Sequence, residues 1–264
     1  SYPMHVLELP QKPDDPTALE HWIHELRQLK AELEARFETE ITDENLRDGI
    51  RTMNEERRLR RELAALMKQD VPPLTGRQLL DMKSLIAGLP HDMSLYEDTL
   101  RKLKSAGPVC ANGNRVRVLL TGVPLPHGAE RVMDIIEESG GLVVCQENCT
   151  GLKPLLEDVD AEADDPLRAI AETYFHLPCS VMTPNNSRME LLKQLTDEYR
   201  PDCVVELIWQ ACLTYDVESA RVKRVVEDEL GIPYLRIETD YSPSDSARIA
   251  VRVQALFETT RARG

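Results

Sequence analysis

The segment 203–245 constrains the fold of this 264-residue chain more than any other. It begins with an apolar run predicted to be a strand at 204–208, continues through an amphipathic helix at 215–230, and returns to a strand at 234–237. A strand–helix–strand unit of this kind predicts parallel strands whose carboxyl ends meet at one edge of a sheet. Cys212 and the carboxylates after the second strand would then lie on that edge, where α/β folds place their functional groups.

The first part of the chain is predicted to be helical. Apolar residues recur at helical spacing from Thr17 onward, and a second amphipathic pattern covers residues 42–68 before Pro72 and Pro73 end it. A strand is also predicted at residues 4–9. Two shorter helices are each expected to open with a capping box, formed by Thr75 with Gln78 and by Ser94 with Glu97.

The pattern changes at the glycine-containing loop 107–113. Beyond it, predicted strands at 116–120 and 142–145 alternate with predicted helices at 129–139, 166–175, 187–199 and 245–259. We therefore predict two regions, a short strand with helices over residues 1–112 and an α/β domain over residues 113–264. The predicted fold class is α/β, with the helical N-terminal region followed by a flavodoxin-like, doubly wound parallel sheet of four strands.

The composition excludes several classes of protein. Hydrophobic residues make up 42% of the sequence and charged residues 30%, which is typical of a soluble folded domain. The net charge of −14 argues against duplex nucleic acid as a partner, because phosphate binding needs a basic surface. No apolar run is long enough to span a membrane, and the first residues given do not form a basic segment followed by an apolar one, so we expect a cytoplasmic protein. The sequence starts at Ser1 without a methionine, and we also expect that a further segment precedes it.

Six cysteines bear on the chemistry. They do not form a disulfide framework in a chain of this length, and neither a CxxC pair nor a zinc-type histidine pair occurs. In a reducing compartment they would be free thiols, iron–sulfur ligands, or both. Cys145 and Cys203 fall in predicted strands and are expected in the core, whereas Cys110 lies in the predicted linker and is expected to have no role.

Cys212 is the strongest candidate ligand from the residues alone. It lies just before a helix whose predicted N-cap is Thr214, and the helix dipole there stabilises a thiolate, the form that binds iron. The same position also suits a small side chain packed at a strand end, and the residues leave both interpretations open. Cys149 and Cys179 lie in predicted loops, but nothing in their spacing indicates a shared metal, and a structural role is favoured for each.

Three acids follow predicted strands at the same edge, namely Glu147, Glu238 and Asp240. They can act as acid–base groups, although holding a backbone amide is the more common role for any one of them. The charged run 55–62 places acids and arginines at helical spacing, which predicts a solvated, salt-bridged helix face.

Several longer stretches resemble a known family. They read TGVPLPHGAERVMDIIEESGGLVVCQENCTGLK, LPCSVMTPNNSRMELLKQLTDEYRPDCVVELIWQACLTYDVES and GIPYLRIETDYSPSD, and the helical stretch ITDENLRDGIRTMNEERRLRREL is similar too. Together they resemble the subunits of 2-hydroxyacyl-CoA dehydratases and benzoyl-CoA reductases, with the greatest similarity to the double-cubane cluster proteins.

The resemblance implies an oxygen-sensitive iron–sulfur cluster, either [4Fe-4S] or double-cubane, that receives a low-potential electron from an ATP-hydrolysing activator iron–sulfur protein. That electron would allow radical dehydration or reduction of an acyl-CoA substrate, in a complex with a homologous second subunit or a second copy. Cys212 matches the cysteine of the family's Gln-Ala-Cys motif and would bind the cluster as its metal ligand. Cys149 and Cys179 are further candidate cofactor ligands, and Glu147 and Glu238 are candidate catalytic groups.

The sequence departs from the family pattern at several positions. It starts where the α/β domain that usually supplies further cluster cysteines would be ending. Val123 replaces the cysteine of a TGCP motif, Leu213 stands where relatives often have histidine, and Ser246 with Ala247 replaces Gly-Gln. Three hypotheses stay open: a C-terminal portion of such a dehydratase, a double-cubane-type electron-transfer protein or small-molecule reductase, and a partner subunit that has lost its site.

Overall fold

The computed structural model describes residues 4–83, 87–105 and 114–263. Within them, the first part of the chain forms the helices α1 (Pro16–Phe37), α2 (Asp43–Ala65), α3 (Gly76–Asp81) and α4 (Pro90–Ser105). The predicted capping box of Thr75 and Gln78 opens α3, and a second one, between Thr42 and Asn45, opens α2. The predicted linker and Cys110 lie outside the described residues.

The second part alternates strands and helices. Its strands are β1 (Val116–Gly122), β2 (Gly141–Gln146), β3 (Cys203–Trp209) and β4 (Tyr234–Thr239). Its α-helices are α5 (Arg131–Glu138), α6 (Pro166–Phe175), α7 (Asn186–Tyr199), α8 (Leu213–Arg224) and α9 (Ser246–Arg261), and α8 continues into a π-helix at Val225–Glu229. All strand pairs are parallel, in the order β2-β1-β3-β4. The predicted α/β fold is confirmed.

Alternation of apolar side chains along the strands places a hydrophobic cluster on each face of the sheet. Val118 and Leu120 of β1 pack in the cluster that includes α5 and α9, whereas Leu119 packs with Val204 in the cluster that includes α7. Ala64 at the end of α2 belongs to the second cluster. The helical part therefore packs directly on the sheet, and a division of the chain after residue 112 stays a prediction.

The outer edge of β2 is covered by the start of α3. A Cβ on Gly76 would lie 2.5 Å from the carbonyl oxygen of Val143, so only glycine allows this close approach. The carboxylate of Glu137 accepts hydrogen bonds from the backbone amides of Gly76, at 2.7 Å, and of Val143, at 3.3 Å. One buried side chain thus satisfies amides of both elements at the edge of β2, where none of the described residues forms a further strand.

Two predictions about local structure in the helical part are wrong. Residues 4–9 form no strand: they lie beside α1, where the backbone amide of Glu8 donates to the carboxylate of Glu25 at 3.0 Å, and Met4 is exposed. Ser94 does not cap a helix either. Pro90, with its fixed φ, already opens α4, and the Ser94 hydroxyl donates back to the carbonyl of Pro90 at 3.1 Å.

The charged run on α2 is only partly the solvated face that its spacing predicts. Arg58 forms exposed ion pairs with Glu55 and Glu62, as expected. Glu56 and Arg57 are buried. Glu56 accepts a hydrogen bond from the amide of Gly88, and Arg57 donates to the hydroxyl of Tyr174, so this side of the run holds neighbouring segments together.

Candidate functional site

The carboxyl ends of the four strands meet at one edge of the sheet. In the sheet, β2 lies on one side of β1 and β3 lies on the other. The connection from β1 to β2 and the connection from β3 to β4 therefore run in opposite directions. Ligands of open α/β sheets bind at such a switch point. Gly122 ends β1 there with a φ of +103°, and a Cβ on it would lie 2.0 Å from the carbonyl oxygen of Leu207. The two central strands can approach this closely only because residue 122 is glycine.

Cys212 lies on this edge, at the start of α8. It is itself the N-cap residue, so the predicted cap at Thr214 is wrong by two positions, and Thr214 lies in the first turn. The Cys212 residue is half-buried and its Sγ lies 3.8 Å from the hydroxyl of Thr214. That hydroxyl is also 3.3 Å from the hydroxyl of Ser180, the residue after Cys179. Thr214 therefore connects the loops that carry Cys212 and Cys179.

Cys149 and Cys179 lie on loops next to Cys212. Cys149, in the turn after β2, is an exposed residue, and Cys179, before α7, is half-buried. Loss of solvation raises the pKa of the Cys149 thiol, Lys153 acts to lower it, and a Cys179 thiolate raises it. Cys145 and Cys203 are buried in the core, as predicted.

Glu147 is fully buried behind these loops. Its Oε1 lies 2.9 Å from Nζ of Lys153 and 3.4 Å from Nε of Arg188, and its Oε2 accepts a hydrogen bond of 2.6 Å from Thr121. Burial by itself would raise the pKa of Glu147, but the charges of Arg188 and Lys153 outweigh it and lower the pKa. The carboxylate is therefore ionised and held between two cations.

Arg188 occupies the centre of a buried charge network that the sequence did not predict. Besides Glu147, its guanidinium pairs with Glu206, at 3.3 Å, and with Glu218, and it packs over the ring of Tyr215, 4.9 Å from the ring centre. These partners come from β3, α8 and the loop after β2. The network consequently fixes the positions of the loops at the edge of the sheet.

One signal in the sequence does point to this network. Glu206 is a carboxylate in the middle of the apolar run CVVELIW, and a buried charge of this kind needs a partner. Burial raises the pKa of Glu206 despite the opposing charge of Arg188, and Tyr234 donates a hydrogen bond of 2.6 Å to its Oε2. Nothing in the sequence indicates that Arg188 is that partner.

The structure does not bring the two predicted catalytic carboxylates together. Glu238, near the end of β4, is exposed and pairs with Arg236 at 2.9 Å, whereas Glu147 is buried with Lys153 and Arg188. Asp240 accepts a hydrogen bond of 2.7 Å from the backbone amide of Ser242. Asp240 therefore holds a backbone amide, the role favoured for it from the sequence.

The residues at this edge do not amount to a complete cluster site. Throughout the ranges 4–83, 87–105 and 114–263, no three cysteine, histidine or acidic side chains are grouped closely enough to hold a metal ion. A four-iron cluster held by protein takes four thiolates, and the edge offers Cys149, Cys179 and Cys212. The described residues alone therefore do not fit the cluster that the resemblance implies.

Comparison with known protein families shows which family this chain matches. Residues 1–260 match the family described as 2-hydroxyglutaryl-CoA dehydratase, D-component. This chain belongs to that family. The resemblance stated from the sequence is thereby confirmed, and the dehydratase family is shown over almost the whole chain.

Two relatives found by sequence comparison have names that describe dehydratase subunits. YjiM of Escherichia coli (strain K12), described only provisionally as a dehydratase subunit, is 38% identical over 266 residues, covering 97% of this chain and 68% of its own length. The (R)-phenyllactyl-CoA dehydratase beta subunit of Clostridium sporogenes is 22% identical over 231 residues, covering 86% of this chain and 60% of its own length. The chain thus spans about two thirds of one relative and three fifths of the other.

In the described part of this dehydratase-family chain, no helix has both the length and the apolar character needed to cross a bilayer.

Proposed function

We propose that this protein is an iron–sulfur subunit, or the C-terminal portion of one, of a cytoplasmic enzyme that dehydrates or reduces a CoA thioester through radical chemistry. An ATP-hydrolysing activator iron–sulfur protein supplies the low-potential electron, and a homologous second subunit or second copy completes the enzyme. Family membership over residues 1–260 is the observation that carries the proposal. The name of the Clostridium sporogenes relative, a CoA-thioester dehydratase subunit, supports the substrate class.

Cys212 is the proposed metal ligand, with Cys149 and Cys179 as further cofactor ligands. The support is their placement on adjacent loops of one sheet edge and the contacts of Thr214 to both Cys212 and Ser180. These three cysteines do not make a complete set of cluster ligands, so the remaining ligands have to come from other residues. A thiolate at the start of α8 also gains from the helix dipole.

The two acids have different proposed roles. Glu238 is the carboxylate that solvent and a bound substrate can reach, which suits an acid–base group. Glu147 is sealed between Lys153 and Arg188 and acts by keeping the loop of Cys149 in place. Loss of Glu238 should therefore reduce turnover without reducing iron content, whereas loss of Glu147 should disturb both.

Anaerobic reconstitution with iron and sulfide tests the cluster assignment. Dithiothreitol is included because its thiolate can occupy a ligand position that the chain leaves open. We expect bound iron in the wild-type protein, most of it lost in Cys212→Ser and retained in the control Cys203→Ala, whose thiol lies in the core. Equal iron in wild type and Cys212→Ser would exclude Cys212 from the site.

An activity assay separates the remaining alternatives. With the activator protein and ATP present, the dehydratase proposal expects loss of water from a 2-hydroxyacyl-CoA thioester. Reduction of small inorganic substrates without any dehydration would instead indicate a double-cubane-type reductase. Absence of both activities together with absence of iron would indicate a partner subunit.

A further inference from the structure

The charge network around Arg188 contains more carboxylates than cations. Among the residues that the structure describes, three carboxylates, two cations and two phenols lie together there, namely Glu147, Glu206, Glu218, Arg188, Lys153, Tyr215 and Tyr234. Both cations are buried, and so are two of the carboxylates, whereas the side chain of Glu218 is 11% exposed. If all three carboxylates were ionised, their charge would exceed that of the two described cations by one. A buried acid avoids the cost of such a charge by keeping its proton.

Two of the three carboxylates have strong partners. Glu147 lies 2.9 Å from the ammonium of Lys153. Glu218 pairs with Arg188, and it also accepts a hydrogen bond of 2.7 Å from the side-chain amide of Asn185. These contacts suit ionised carboxylates.

Glu206, on β3, has the weakest partners of the three. Its Oε1 lies 3.3 Å from a guanidinium nitrogen of Arg188, and the same nitrogen donates a shorter hydrogen bond, of 2.9 Å, to Thr121. Its Oε2 lies 2.6 Å from the neutral phenol oxygen of Tyr234. Burial raises the pKa of Glu206, although the charge of Arg188 and the hydrogen bond with Tyr234 oppose that shift.

The neighbouring elements bring no second cation to Glu206. In the register of β3 and β4, Arg236 stands opposite Glu206, but its guanidinium pairs with Asp216 and, at 2.9 Å, with Glu238. Across the described ranges, the ion pair of Glu206 is the one with the guanidinium on α7. The carboxylate of Glu147 lies close enough to raise the pKa of Glu206 further. The surplus proton of the network therefore belongs on Glu206.

We propose that Glu206 keeps its proton at neutral pH and acts as a neutral positioning residue for Arg188. In this form its Oε1 accepts from Arg188, and its Oε2 donates to the phenol oxygen of Tyr234, so the direction of that hydrogen bond is reversed. Arg188 is then left to Glu147 and Glu218, which hold the turn after β2 and the helix α8. Ionisation of Glu206 would draw the guanidinium towards β3 and weaken both contacts. The proton requires neither iron nor a CoA thioester, and it is tested apart from the dehydratase function.

Infrared spectroscopy of the full chain in D₂O tests the proton directly. We expect the wild type at pH 7 to show the carbonyl band of a protonated carboxylic acid, and Glu206→Gln to lose it. Tyr234→Phe removes the phenol and should shift the band without abolishing it. Glu97→Gln, on an exposed position of α4, is the matched control and should leave the band unchanged. Absence of the band in the wild type, its persistence in Glu206→Gln, or an unshifted band in Tyr234→Phe would overturn the assignment.

The pH profile of stability then separates a proton from simple packing. Because the folded-state pKa of Glu206 lies above the unfolded one, its stabilisation is present below the unfolded pKa and is lost as pH rises through the folded pKa. The side chain of Gln imitates the protonated acid, since its oxygen can accept from Arg188 and its nitrogen can donate to Tyr234.

Urea denaturation compares the unfolding constants of wild type and Glu206→Gln. We expect them to be similar near pH 4, and the wild-type constant to exceed that of the variant by up to about tenfold for each further pH unit, the effect of one proton. Glu206→Ala should unfold at least about tenfold more readily than Glu206→Gln, because it leaves a buried donor without an acceptor. A ratio of wild type to Glu206→Gln that does not change with pH, or equal losses in the Gln and Ala variants, would reject the proton on Glu206.

Discussion

Lys153 and Glu147 form an ion pair of 2.9 Å that is shielded from solvent on all sides. The Lys153 ammonium also lies 3.4 Å from the hydroxyl of Tyr215 on α8, the helix whose N-cap is Cys212. The pair thus connects the loop of Cys149 to the helix of Cys212 through contacts in the interior.

Lys153→Met should strongly destabilise the protein. It removes one cation from Glu147 and leaves that buried carboxylate with Arg188 as its remaining charged partner, a change that costs about 3–5 kcal/mol in other buried pairs. Urea denaturation measures the free energy of unfolding. Lys104→Met, which breaks an exposed pair with Glu62, is the control and should change it by less than about 1 kcal/mol. Equal effects of the two substitutions would contradict the importance of the buried network.

Gly122→Ala should lower the free energy of unfolding more than most substitutions that add a single methyl group. Residue 122 has a positive φ, and the added carbon would overlap the carbonyl oxygen of Leu207. We expect a loss of more than about 3 kcal/mol of unfolding free energy. Gly128→Ala is a matched control, because Gly128 also has a positive φ, of +90°, but an added Cβ meets no atom within 4 Å. The control should cost about 1–2 kcal/mol, from backbone strain alone.

Asp245 should make the stability of the protein depend on pH. Burial would raise the pKa of Asp245, but the hydrogen bond from Thr239, at 2.8 Å, and the ion pair with Arg131, at 2.7 Å, lower it overall. Because the folded-state pKa lies below the unfolded one, the stabilisation is present above the unfolded pKa, about 4, and is lost as pH falls through the folded pKa.

The corresponding variant is Asp245→Asn. We expect it to lower the free energy of unfolding by about 1–2 kcal/mol at neutral pH, and the difference from wild type should shrink below about pH 4. Asp70→Asn, at an exposed ion pair with Arg200, is the control and should have little effect at either pH. A difference that stays constant from pH 7 to pH 3 would show that the charge of Asp245 is not responsible.

Thiol labelling should divide the described cysteines into two groups. Burial raises the pKa of Cys203 to about 12 and that of Cys145 well above its ordinary value, so neither forms a thiolate in the native protein. We expect iodoacetamide at pH 8 to modify Cys149, Cys179 and Cys212 in the native protein, with Cys149 the slowest of the three because loss of solvation raises the pKa of its thiol. The two core thiols should react only after unfolding, as read by peptide mass spectrometry. Early modification of Cys203 would contradict its placement in the sheet.

The sequence predicts the α/β part well because its signals are local. Each strand is a short apolar run, each helix has an amphipathic period, and all four predicted strands are present, each two residues longer than predicted. Ser94 misled the prediction because its spacing to Glu97 imitates a capping box, whereas Pro90 already begins the helix. The strand predicted at residues 4–9 failed because a strand needs a partner, which local sequence does not supply.

The candidate site is harder to predict because its parts are distant in the chain. Position after a strand was enough to place Cys149, Cys212 and Glu238 at one edge of the sheet. The same argument grouped Glu147 with Glu238, although Glu147 turns into the interior. Its partner Arg188 lies on a helix some forty residues later, and only tertiary packing joins the two.

The two edge strands of the sheet, β2 and β4, differ in how accessible they are to another strand. Every residue of β2 is buried and α3 blocks its flank, whereas most residues of β4 are partly or fully accessible and the strand pairs on one side with β3. A further strand could therefore pair with the sheet at β4 but not at β2. In the described part of the chain, the guanidinium of Arg252 already donates to the carbonyl oxygen of Arg236 in β4, close to Glu238. A strand added beside β4 would have to displace this hydrogen bond.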